Sequence, residues 1–290
     1  MLVRSGLINP QRYLKVLAKT LTRVQRGSGR LHQSVTDSSL DAWHKFYKQD
    51  ENAPNAIVSY YSKGALIALC LDSLMRRCSA NQVTLDHLMQ KLWRLWLGGQ
   101  RGIAEREPQA IVSTLLGDAV CESELSDFFD AALYGTDELP LAESLKQLGV
   151  SLVWRTRASS TDLGALLSGD TLAKEDSVSH SPWLGANTID AAGGVKIKQV
   201  INSSPAERAG LSAGDVLIAM DGFSVNQKSI SSHLARFETK GHIDIHYFRY
   251  GQLFESTLPI EAPPVDTATL QVHDEKLLSQ WLDGSEVRPA

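Results

Sequence analysis

Hydrophobic periodicity changes once along this chain, and that change limits what the chain can fold into. In the first half, apolar side chains recur at three and four residues, the spacing of a helix with one buried stripe. Tyr13, Leu14, Leu17, Ala18 and Leu21 do so in 10–26. Tyr61, Ala65, Ala68, Leu69, Asp72 and Met75 follow in 57–75, then Leu85, Leu88, Met89, Leu92, Trp93 and Trp96. Beyond residue 190 the pattern becomes short runs rich in β-branched residues: GVKIKQVI at 194–201, DVLIAM at 215–220, HIDIHYFRY at 242–250 and LFESTLPI at 253–260. These are strands. A chain of 290 residues has room for a helical body and a strand-rich one.

Glycine and proline set the limits of the helices. Pro10 opens the first and Gly27 and Gly29 end it. SVTDSSLDAWHKFYKQDENAPNA is polar and turn-rich, with aromatic anchors at Trp43, Phe46 and Tyr47, and Pro54 disfavours helix at Asn52 and Ala53. The 57–75 helix reads as buried, and Gly64, Ala65 and Ala68 predict the close approach of another helix. Pro108 and Gly117 bracket a helix, Ser123 predicts the cap of the next, and Trp96, Phe128 and Phe129 read as core. The fold class is therefore multidomain α plus β: a helical bundle or array over 1–154, a linker rich in Ser, Asp and Gly over 155–182, a strand-rich module over 183–262 and an extension over 263–290. The extension predicts a strand and a short helix packed back on the body.

A net charge of −4 is mild and argues against a surface for nucleic acid or anionic lipid, which would need a basic patch. No unbroken apolar run of about 20 residues reads as a membrane span, and the first residues lack the apolar core of a signal peptide. Three cysteines, Cys70, Cys78 and Cys121, are too few and scattered for a disulfide framework or a Cys-rich zinc site. A reducing compartment, the cytoplasm, is the expected location; the periplasm is the alternative should an upstream segment carry an export signal.

In the strand-rich half, WLGA at 183–186, SSPAERAGLSAGD at 203–215 and IAMDG at 218–222 combine a proline helix start, a glycine close at Gly210 and tight turns at Gly214–Asp215 and Asp221–Gly222. This combination resembles bacterial PDZ domains, which implies a partly open β-barrel with two helices, the longer over about 227–238. The resemblance implies that the amides of Leu184 and Gly185 hold a peptide's terminal carboxylate. The strand edge at Ala186 would pair with the incoming peptide, and Leu184, Ile230 and Leu234 would line the side-chain pocket. Peptides or protein C-termini are the implied partners. The alternative is a groove filled by the protein's own chain. His242, Asp244 and His246 point one way along a strand; they read as the outward face of an edge strand, with Ile243, Ile245 and Tyr247 inward, rather than as metal ligands.

In the helical half, SGLI near the start, the run GRLHQSVTDSSLDAWHKFYKQDENAPNAIVSYYSKGALIALCLD at 29–72 and FFDAALYGTDELP at 128–140 resemble the M61 glycyl aminopeptidases, gluzincin relatives of the M1 aminopeptidases. The resemblance implies that Tyr61, in the pattern Ser59-Tyr60-Tyr61-x-Lys63-Gly64, is the phenol that donates to the oxyanion in peptide hydrolysis; Tyr60 is the rival. The complete family enzymes carry zinc on an H-E-x-x-H helix, and none of the eight histidines here stands in that motif. This chain is therefore expected to hold no cofactor and to be a silent C-terminal part of such an enzyme. Two alternatives are half of a split aminopeptidase completed by a separately encoded N-terminal zinc-binding half, and a stand-alone PDZ adaptor. Faces meant for a zinc domain predict exposed apolar surface and self-association.

Overall fold

The computed structural model describes residues 3–99, 102–117, 121–167, 182–237 and 241–283. The helical part contains α1 (Pro10–Arg26), α2 (Val35–Leu40), α3 (Ala53–Ala56), α4 (Tyr60–Cys78), α5 (Leu85–Gly99), α6 (Glu107–Leu116), α7 (Glu122–Phe129) and α8 (Leu141–Gln147). A 3-10 turn at Ser28–Leu31 and π-helical turns at Ala42–Phe46 and Asp130–Tyr134 connect them. The Asn9 side chain caps α1, accepting from the Arg12 amide at 2.8 Å, with Pro10 in the first turn. Pro54 sits in the first turn of α3, where its missing N–H costs nothing; helix begins at Ala53, contrary to the sequence expectation. Ser123 falls inside α7, which starts from Cys121.

The strands follow a less linear plan than the sequence suggests. β1 (Val150–Thr156), β2 (Ala165–Leu167) and β9 (Val265–Val272) form one sheet in the order β1-β9-β2. β9 is antiparallel to β1, with Val150 opposite Val272, and parallel to β2. The strand-rich module is inserted between these strands, so residues expected as a linker and as an extension share a sheet with the end of the helical region. Its own elements are β3 (Ala186–Ala191), β4 (Gly194–Val200), α9 (Pro205–Arg208), β5 (Val216–Met220), β6 (Phe223–Ser224), α10 (Ile230–Arg236), β7 (His242–Arg249) and β8 (Gln252–Pro259). They make an open sheet, β3-β4-β5-β7-β8, with β6 paired to β5. The chain ends its described course in α11 (Glu275–Asp283).

Two apolar cores carry most of the burial. In one, Leu14, Leu17 and Leu21 of α1 pack with Leu66 and Cys70 of α4, Leu270 of β9 and Trp281 of α11. Val195, Ile197, Leu217, Ile245 and Leu258 centre the other, inside the module. Further out, Met75 of α4 meets Leu88 of α5, Val112 of α6 and Phe129 of α7. The Asp72 carboxylate, also buried, accepts from the Leu85 amide at 2.7 Å and from Arg76 Nε at 3.1 Å, tying α4 to the start of α5.

Several sequence expectations change. The stripe Tyr61–Ala65 of α4 is exposed, a side chain added at Gly64 would meet open space, and the buried positions are Lys63, Leu66, Ile67, Leu69, Cys70 and their successors. Trp96 is 46 % exposed and Trp93 60 %, so α5 buries only Leu88 fully. Cys78 and Cys121 form a disulfide, leaving Cys70 as a buried free thiol. The stretch Ala53–Cys78 is long and apolar enough to cross a membrane by length and composition, unlike the sequence reading, but more than half of it is buried inside the fold, as in a core helix.

Candidate functional site

The residues before α4 determine where its tyrosines stand. Ile57–Ser59 is extended and held from three sides. Gly29 lies so close beneath that an added Cβ would be 2.1 Å from the Ile57 carbonyl oxygen. Gln33 Oε1 accepts from the Val58 amide at 3.1 Å, and Ser38 Oγ donates to the Val58 carbonyl at 2.5 Å. Ser59 then caps α4 by accepting from the Ser62 amide at 3.2 Å.

Tyr60 and Tyr61 leave the first turn together, ring centroids 4.2 Å apart. Tyr60 packs on Val35, Ile67 and Ala132, while Tyr61 is 59 % exposed. Phe46 contacts both rings and that of Tyr47. The Tyr47 hydroxyl lies 3.1 Å from that of Tyr60 and 2.9 Å from that of Tyr61. Each phenol has one proton to give. If Tyr60 donates to Tyr47 and Tyr47 to Tyr61, the Tyr61 proton is left to point outward. The titration directions agree: the hydrogen bond with Tyr47 is the main cause that raises Tyr60 and lowers Tyr61. Tyr47 was noted in the sequence only as an anchor. Its signal was the spacing of Trp43, Phe46 and Tyr47, which is that of one helical face.

Lys63 and Gly64 of the same motif do not gather around the phenol. Lys63 is buried on the other side of α4 and donates from Nζ to the Arg30 carbonyl at 3.2 Å. Burial lowers its pKa, partly offset by Glu138. Arg30 in turn pairs with Glu138 at 2.7 Å and donates to the carbonyls of Gln25 and Gly27. Tyr47 beside Tyr61 and Trp43, packed on Tyr47, are exposed, and elsewhere in the helical body Trp93, Trp96 and Leu97 of α5 are exposed too.

These residues do not fit a zinc ion. Among the described residues the one group of three metal-ligating side chains within reach of one another is Cys78, Cys121 and Glu124. Its two sulfurs are bonded to each other and Glu124 is paired with Arg77. His242, Asp244 and His246 do share a face of β7, but β7 lies between β5 and β8, so it is an interior strand and not the edge expected from sequence.

In the strand-rich module Gly185 is left-handed (φ +81°), and an added Cβ would be 2.1 Å from Cβ of Ser204, so only glycine fits. The Gly185 carbonyl accepts from the Ile201 amide, and the Leu184 carbonyl from the Ala206 amide, each at 2.9 Å. Both carbonyls thus point into the module, while the amides of Leu184 and Gly185 have no acceptor among the described residues. β3, starting at Ala186, is an edge of the sheet with one side unpaired. Leu184, Ile230 and Leu234 are all buried in the module's core, Ile230 being 8 % exposed, so they form a closed floor. α10 is shorter than the 227–238 helix expected, and residue 238 of that stretch lies outside the described residues.

The M61 glycyl aminopeptidase family pattern matches residues 1–67, and the PDZ domain pattern matches residues 182–255. An aminopeptidase N family protein from Idiomarina loihiensis, known from a crystal structure, is similar over 97 % of this chain at 36 % identity with a TM-score of 0.84. The chain spans 46 % of that protein's length. The serine endoprotease from Yersinia pestis is similar over 29 % of this chain and 30 % of its own at 20 % identity, TM-score 0.26. The HtrA3 PDZ domain bound to a phage-derived ligand is similar over 28 % of this chain and 85 % of its own at 14 % identity, TM-score 0.25. No curated protein matches. The chain thus combines a gluzincin aminopeptidase fold of the M61/M1 kind with a PDZ domain, and has no H-E-x-x-H zinc motif.

Proposed function

We propose that this chain carries the tyrosine-bearing and peptide-holding portion of an M61-type aminopeptidase, and that it hydrolyses nothing alone. Its zinc ligands would belong to a companion lobe outside these 290 residues. The observation that carries this reading is the Tyr61 hydroxyl, exposed at the outer end of a hydrogen-bonded chain of three phenols. There it can donate to an oxygen that gains negative charge when a peptide carbonyl is attacked. Tyr60, half-buried against Ile67, orients that chain and is not the donor. The exposed tryptophans of α5 are where the companion lobe would seat. The PDZ domain holds a peptide by Leu184, Gly185 and the edge at Ala186, over the closed floor of Ile230 and Leu234.

The purified chain, supplied with zinc, is assayed on glycyl and alanyl p-nitroanilides. No hydrolysis is expected, and clear turnover overturns the reading. Adding a segment that bears H-E-x-x-H should produce activity. In that assembly Tyr61→Phe should lower kcat by roughly 10²- to 10³-fold, and Tyr60→Phe by much less. A second reading, a stand-alone peptide adaptor, is favoured by the separate apolar core of the PDZ domain. It requires saturable peptide binding and no effect of the H-E-x-x-H segment.

A further inference from the structure

A cavity of about 450 Å³ lies between the PDZ domain and the helical body. Ala186 and Asn187, at the start of edge strand β3, form part of one wall, and Phe46, Gln49 and Ile57 part of the other. We infer that this cavity completes the peptide site and selects ligands with an acidic side chain next to their C-terminal residue. The inference rests on the peptide-binding reading above and adds what the ligand must carry.

The first argument is charge. Among the described residues, three arginines, Arg23, Arg26 and Arg157, line the cavity together with a single carboxylate, Asp266. Asp266 is shared by two of them: Arg26 Nε at 3.1 Å and an Arg157 terminal nitrogen at 2.6 Å. The Arg157 guanidinium lies over the Trp183 ring, 5.3 Å from its centroid, and its buried Nε has no hydrogen-bond partner among the described residues. Arg23 is exposed and has no partner among them either. Guanidinium donors left over in a partly enclosed space suit a carboxylate, which they can bind in a forked geometry.

Strand alternation places that carboxylate in the ligand. The Ala186 side chain packs against the PDZ core, whereas Asn187 faces away from it and reaches Gln199 at 2.8 Å. A peptide added along β3 alternates in the same way. With its terminal carboxylate at the Leu184 and Gly185 amides, its last side chain faces Ile230 and Leu234. The penultimate one then points to the Asn187 side, toward the arginines. All three arginines lie outside the stretch matched as PDZ, so the helical body would set a specificity the PDZ domain cannot set alone.

The test uses the full chain and two fluorescent peptides, identical except for Glu or Gln at the penultimate position. The Glu peptide should bind roughly tenfold more tightly at low salt, a gap that shrinks as salt rises. Arg23→Glu should reduce that gap to less than about twofold, and Arg157→Gln should do likewise. Equal binding of the two peptides by the unmodified chain overturns the inference but leaves peptide binding standing. Binding of neither overturns both. A Glu preference that survives both substitutions removes the arginines from the account.

Discussion

The pKa of the Tyr61 phenol is lowered first by a neighbour fourteen residues back, Tyr47, whose hydroxyl stands 2.9 Å away, and second by Tyr60. Replacing Tyr47 with Phe removes the donor that lowers Tyr61. Spectrophotometric titration of the variant should show the Tyr61 phenol moving upward, and no movement would break the proposed order of the three protons. Asp162 is a second residue whose surroundings can be read by pH. Burial alone would raise its carboxyl, but hydrogen bonds from Arg155, Ala158 and Gly164 outweigh it and hold it at about 2, below its ordinary 3.8. A lowered folded pKa stabilises above the unfolded value and is lost on acidification. Asp162→Asn should therefore lower the melting temperature at neutral pH, and the difference should fade between about pH 4 and pH 2. Cys70 behaves oppositely: burial lifts its thiol to about 11. Iodoacetamide at mildly alkaline pH should leave the native protein unlabelled at Cys70 and modify it after unfolding. That the tyrosine pair stands at the start of a helix was legible in the sequence motif; the exposure of Tyr61 was not. Nor was the hydrogen bond to Tyr47, because it depends on how a π-helical turn folds over the start of α4.

Among the elements, α4 has its direction set by what holds its first and fifth turns. At the start, the contact of Gly29 with Ile57 leaves no space for a side chain. Gly29→Ala should cost about 1–3 kcal/mol in chemical denaturation through overpacking, and should disturb the tyrosines as well. At the other end the buried pair of Asp72 and Arg76 also caps α5. Asp72→Ala leaves a buried cation unpaired and should cost about 3–5 kcal/mol. Sequence periodicity found α1, α4 and the strands of the PDZ domain because their spacing is local. Of the predicted stripe of α4, Leu69, Asp72 and Met75 are covered but Tyr61 and Ala65 at its start are not, since Tyr61–Ala65 and Lys63–Leu66–Ile67 both satisfy a helical period. Only the helices packed on α4 distinguish them. Pro54 was misread for a related reason: its bias against helix in the preceding residue is weak enough for a four-residue turn to override.

For the whole molecule, the decisive feature is an insertion: the PDZ domain leaves from β2 and returns at β9, which lies between β1 and β2 in the sheet. Both its ends are thereby anchored in the helical body, and Asn55 adds a direct link by donating to the Val200 carbonyl at 2.7 Å and accepting from the Asn202 amide at 3.0 Å. The exposed Trp93, Trp96 and Leu97 of α5 belong to this scale too. They predict concentration-dependent self-association in sedimentation velocity, reduced by Trp93→Lys with Trp96→Lys; a strict monomer at all concentrations would contradict it. Residue order alone determined the longer helices, most strands and the turns of the PDZ domain, and the position of the tyrosine pair. Each of those depends on side-chain types within a few residues of one another. Tertiary structure decided the pairing of β1 with β9, the Cys78–Cys121 bond, the uncovered side of α5 and the arginine-lined cavity. These join residues far apart along the chain, and no local pattern records which distant partner a strand, a thiol or a guanidinium will meet.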